Sequence, residues 1–81
     1  MWKFRESPSR IERRFEFDNY HKISEFMKKI DDLCKTKSLY PNISFGKNFV
    51  SFLIFFEGEE ISLSEKDFSK NIDNIFEEIQ A

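Results

Sequence analysis

Eighty-one residues at 9.8 kDa are read as one small domain, residues 1–81, with a folded surface of roughly 5,200 Å² and one thin core, too small for a doubly wound nucleotide fold or a barrel. The 40% hydrophobic content excludes disorder by composition, and the single cysteine, Cys34, excludes an internal disulfide framework and a thiolate metal cluster. Thirteen basic residues nearly balance fifteen acidic ones, for a net charge of −2, which argues against a nucleic-acid partner.

Trp2–Arg5 reads as a short strand, and Ser7, Pro8 and Ser9 as a turn. From Ile11 to Phe17 the chain alternates. Ile11, Arg13, Phe15 and Phe17 share one face, while Glu12, Arg14 and Glu16 share the other, the period of a strand with one wet face. Arg13 breaks the apolar face, and its long stem is expected to snorkel at the rim. Asp18 or Asn19 then caps a helix of about five turns whose apolar stripe runs Tyr20, Ile23, Phe26, Met27, Ile30, Leu33 and Cys34. Pro41 stops it, because a residue preceding proline avoids helical geometry.

Asn42–Phe45 reads as a short strand and Gly46–Asn48 as a tight turn. Phe49–Phe56 is a strand apolar on both faces, so cover on both faces or a central place in a sheet is expected. Ser64 and Asp67 form a capping pair for a second helix, whose stripe is Phe68, Ile72, Ile75, Phe76 and Ile79. The order β-β-α-β-β-α predicts an α+β fold, a four-stranded antiparallel sheet with two helices on one face. Eleven phenylalanines exceed what one thin core holds, which predicts a second apolar surface and a homodimer. The longest apolar run, Phe52–Phe56, is too short for a membrane span, and the first residues hold no apolar signal region. A cytoplasmic protein without a membrane partner is expected.

Few residues promise chemistry. His21, the sole histidine, reads as a solvated side chain at the start of a helix. Cys34 reads as a buried inert thiol with no histidine on its stripe to activate it. Glu57, Glu59 and Glu60 read as a solvated turn without metal-ligand spacing. Arg10, Arg13 and Arg14 interleave with Glu12 and Glu16, which favours a salt-bridged strand face over a phosphate site. The residues alone point to a binding module.

Three stretches carry a resemblance. Phe15-Glu16-Phe17-Asp18-Asn19-Tyr20 leads into Phe26-Met27, Tyr40-Pro41 follows that helix, and Leu63-Ser64-Glu65-Lys66-Asp67 opens the last one. In order and spacing they resemble the pterin-4a-carbinolamine dehydratase family over nearly the whole chain. The resemblance implies a sheet that dimerises into a continuous one. The family's His-His-Pro falls on Leu39-Tyr40-Pro41 and its third histidine on Glu57, so the catalytic imidazoles are expected to be absent. Carbinolamine dehydration needs protons delivered and removed near neutral pH, which imidazole suits.

A narrower resemblance rests on Ile11-Glu12-Arg13-Arg14-Phe15-Glu16-Phe17 and Leu39-Tyr40-Pro41-Asn42-Ile43-Ser44-Phe45-Gly46. These segments resemble the branch of pterin-dehydratase-like Rubisco assembly factors encoded beside α-carboxysome components. It implies a chaperone that is not an enzyme, uses no cofactor or metal, and binds the Rubisco large subunit in the cytoplasm or at the carboxysome. The partner contacts then expected are Glu12, Arg14 and Glu16 on the wet strand face, with Tyr40, Pro41 and Phe45 around a degenerate pocket. The alternative is a dehydratase or pterin-binding protein using Glu57.

Overall fold

The computed structural model describes residues 1–58 and 60–80. The elements follow the expected order: β1 (Lys3–Arg5), β2 (Arg10–Glu16), α1 (Tyr20–Lys37), β3 (Asn42–Phe45), β4 (Phe49–Phe55) and α2 (Leu63–Gln80). The strands form one antiparallel sheet in the order β1-β2-β4-β3. The fold is α+β, with both helices on one face. Phe17 N–H donates to Asn48 O at 2.8 Å and Phe56 N–H to Ser9 O at 3.1 Å, which extends the β2–β4 ladder beyond both of its ends.

Local signals account for the termini of α1. Asn19 has extended backbone, and its side-chain oxygen accepts from Lys22 N–H at 3.0 Å. At the other end Ser38 adopts a left-handed conformation, with φ 55°, and the N–H groups of Ser38 and Leu39 both reach Cys34 O. The cap of α2 differs from the expected Ser64–Asp67 pair. Ser62 Oγ accepts from Glu65 N–H at 3.2 Å, and the Glu65 carboxylate accepts from Ser62 N–H at 3.2 Å and from its hydroxyl at 2.8 Å. This reciprocal box starts the helix at Leu63, leaving Asp67 to pair with Lys37 at 3.4 Å. Glu59, one of the three turn carboxylates, lies outside the described residues.

The core lies between sheet and helices. Phe15, Phe26, Phe52, Phe68, Ile23, Ile30, Ile72 and Val50 are fully buried. Phe26 contacts the rings of Phe15, Phe17, Phe52 and Phe76 at centroid distances of 5.2–6.1 Å. Six of the phenylalanines are buried, Phe49 and Phe76 are half-buried, and Phe4, Phe45 and Phe55 are exposed. Only one face of β4 is covered by helices. Its other face, Phe49, Ser51, Leu53 and Phe55, lies on the open side of the sheet.

Arg13 does not snorkel at a rim. It points under α2, where its Nη1 donates to Asp73 Oδ1 at 2.7 Å and its guanidinium lies 4.3 Å from the Phe15 ring centroid. Trp2 Nε1 donates to the same carboxylate oxygen at 2.8 Å. One aspartate on α2 therefore holds both the N-terminal segment and β2.

Candidate functional site

The turn of α1 into β3 sets the geometry around Tyr40. Leu39 packs against the core, Tyr40 stands out into solvent, 74% exposed, and Pro41 is half-buried. Two depressions flank this ridge. One, about 140 Å³, lies between Leu39–Asn42, the end of β4 and the first turns of α2, with Glu65 and Phe68 in its wall. The other, about 160 Å³, lies between Tyr40, Pro41 and Ile43 and the α1 residues Met27, Ile30, Asp31 and Cys34.

The titratable groups that line the two depressions are Glu65, Asp31, Cys34 and Tyr40. Glu65 brings a carboxylate that Ser62 ties to the helix start. The Cys34 thiol is pushed up from its ordinary range by burial, with the Asp31 charge adding to the effect, so it stays protonated at neutral pH. Glu57 is exposed beyond β4 and lines neither depression. His21 sits in the first turn of α1, its Nε2 3.0 Å from Glu25, with most of the side chain in water. The helical rise from His21 to Lys37 puts it about 24 Å from the Tyr40 turn.

The expected contact residues fall in two groups. Glu12, Arg14 and Glu16 lie on the open face of the sheet. Arg14 Nε donates to Glu16 at 3.0 Å, and its guanidinium lies over the Phe49 ring at 4.0 Å. Glu12 holds Arg5 at 3.1 Å and Arg10 at 3.6 Å. Tyr40 and Pro41 lie at the β3 end of the sheet, and Phe45 projects at the β3 edge, 55% exposed. Leu53 joins the groups, because it lines both the depression beside Tyr40 and an open trough of about 490 Å³ between Lys3, Glu12 and Arg14. Sequence reasoning passed over Leu53 and Glu65. The signal for Leu53 was its place on the outer face of a doubly apolar strand, and that for Glu65 was the Ser62-x-x-Glu65 spacing.

A single antiparallel sheet backed by two helices, with a small cleft at the turn into β3, defines a pterin-dehydratase-like α+β protein. The sequence matches the Pterin 4 alpha carbinolamine dehydratase family over residues 1–74, and the chain belongs to that family. A Methylococcus capsulatus (strain Bath) protein that carries the pterin-4-alpha-carbinolamine dehydratase name is 26% identical over 68 residues, 83% of this chain and 58% of the relative's length. Two solved structures share the fold. A pterin dehydratase-like protein identified as a RuBisCO assembly factor in the alpha-carboxysome superposes with a TM-score of 0.83 at 22% identity, over 93% of this chain and 88% of the other. A transcriptional coactivator/pterin dehydratase from Brucella melitensis gives 0.80 at 16% identity, over 91% and 80%.

The expectation that the chain is not an enzyme is thereby corrected, because the family match and the Methylococcus relative both place it in an enzyme family. Proton transfer also uses carboxylates, and Glu65 brings one to the wall of the depression beside Tyr40.

Proposed function

We infer that this chain binds the Rubisco large subunit and promotes Rubisco assembly, acting as a homodimer of a single domain in the cytoplasm or at the carboxysome of an autotroph. The observation that carries this reading is the likeness to the RuBisCO assembly factor, with a TM-score of 0.83 over 93% of the chain. The Leu39–Gly46 and Ile11–Phe17 segments support it by their resemblance to that branch. Glu12, Arg14 and Glu16 supply one contact group, and Tyr40, Pro41 and Phe45 the other. Coexpression with an α-carboxysomal Rubisco should raise the yield of soluble assembled enzyme, and tagged protein should retain the large subunit in a pull-down. Unchanged yield together with no retained subunit refutes the reading.

A second reading, pterin binding or carbinolamine dehydration beside Tyr40, is favoured by the family match. Dehydration requires a proton for the leaving hydroxyl and removal of another from the ring nitrogen. Glu65, in the wall of that depression, is the carboxylate that would carry one of these transfers. A coupled pterin assay tests it, with Glu65→Gln as the diagnostic variant. Turnover that disappears in the variant supports the site, and absent turnover in the parent protein removes this reading.

A further inference from the structure

The open face of the sheet is chemically unlike the rest of the molecule. Antiparallel partners share a face, so the register places Lys3, Arg5, Arg10 and Arg14 there with Glu12 and Glu16. Four cations against two carboxylates leave an excess of two positive charges. The whole chain carries −2, so the remainder carries −4. Beside these charges runs the uncovered apolar stripe of β4, with Leu53 and Ser51 flooring the trough.

Lys3 and Arg14, the two of these cations that line the trough, have donors left over. Among the described residues Lys3 has no ion-pair partner. Arg14 engages Glu16 through Nε alone, which leaves its terminal nitrogens. Stacking on Phe49 at 4.0 Å holds the plane of this guanidinium. A held guanidinium with open terminal N–H groups matches a carboxylate in bidentate geometry and costs little further ordering.

We propose that the open sheet face is a docking surface for an acidic protein segment that also bears apolar side chains, its carboxylates on Arg14 and Lys3 and its apolar groups along Leu53 and Phe55. A second copy meeting this face to face would set two positive surfaces against each other. A nucleic-acid backbone would bring phosphates against Glu12 and Glu16 and leave the apolar stripe unmatched. The proposal rests on the Rubisco reading only for the identity of the partner, not for the chemistry of the surface.

The test follows amide resonances of isotopically labelled protein while a peptide alternating glutamate with leucine and phenylalanine is added. Saturable shifts are expected at Lys3, Arg14, Ser51 and Leu53. The pair Lys3→Gln with Arg14→Gln weakens binding about tenfold, and added salt weakens it further. Lys28→Gln with Lys66→Gln, which removes the same charge from the exposed helix surfaces, leaves binding within about twofold. Thermal melts of all variants separate lost contact from lost fold.

No shifts at millimolar peptide, or equal weakening by the helix-surface control, overturns the proposal. So does saturation of the same face by oligothymidylate, or shifts there on raising protein concentration alone. The Rubisco pull-down with the Lys3→Gln, Arg14→Gln pair separates the two claims. Peptide binding without Rubisco retention upholds the surface and refutes the Rubisco reading. Rubisco retention unchanged by the pair, with no peptide binding, refutes the surface and upholds that reading.

Discussion

Arg13 and Asp73 are 60 positions apart and form a 2.7 Å ion pair across the sheet–helix interface. The arginine occupies a position in the apolar face of β2 between Ile11 and Phe15, both buried. Its charge is tolerated there because α2 brings a carboxylate to it and the Phe15 ring lies beneath it. Trp2 shares that carboxylate.

Asp73→Ala should destabilise the fold by about 2 kcal/mol, since it leaves two donors without an acceptor. Partial exposure of both side chains, 22% and 30%, keeps the figure below that of a fully buried pair. For a chain of this size the thermal midpoint falls by about 10 °C. Adding Arg13→Met should cost less than the sum of the single changes. A thermal melt of Asp73→Ala that overlays the parent protein rules this role out.

Phe26→Ala should remove about 3–5 kcal/mol, because the ring is fully buried and touches four others. A domain of this length has about 4–12 kcal/mol in total, so much of the variant unfolds. Phe26→Leu should cost less than half as much. Urea titration followed by circular dichroism compares the two, and equal costs would mean that the ring's shape is unimportant.

Gly46→Ala would place a methyl group against the Phe49 ring, which must then swing aside. The ring is half-buried and at the sheet surface, so the cost should be about 1 kcal/mol. The Arg14 guanidinium loses its platform. Proton shifts of the Arg14 side chain, displaced by the ring in the parent protein, should move toward random-coil values. Unchanged shifts would show that the stack does not persist.

The Cys34 thiol should react slowly with disulfide reagents in the folded protein. Burial first, then the Asp31 charge, raises its pKa, which favours the protonated form in the folded state. The contribution to stability is therefore fully present below the ordinary thiol range and is lost as pH rises through the raised value. Labelling at pH 8 should be at least about tenfold slower in the folded protein than in urea. Equal rates would show the thiol to be accessible.

The β3 edge is four residues long and carries the exposed Phe45 without a lysine. Edges of this kind pair unless blocked. Sedimentation at micromolar concentration should give about 20 kDa, twice the 9.8 kDa chain. Phe45→Lys should shift the equilibrium toward monomer. A monomer in the parent protein at that concentration rules out the dimer.

Sequence alone determined the element order, the Asn42–Phe45 strand, the Asn19 cap and the inward stripes of both helices, except that Tyr20, expected at the head of the α1 stripe, stands exposed in the first turn. These follow from periodicity and capping, which act over a few residues and need no knowledge of distant neighbours. Tertiary structure decided the rest. The Ser62 cap of α2 is not among these, since the local Ser62-x-x-Glu65 spacing already carried it. Which face of β4 stayed open depended on where two helices could pack together, and that choice turned Leu53 outward beside Arg14. Arg13 could be placed only once α2 had crossed β2, because the energy of a charge in an apolar face is set by the partner that reaches it through space, and Asp73 lies 60 positions away along the chain.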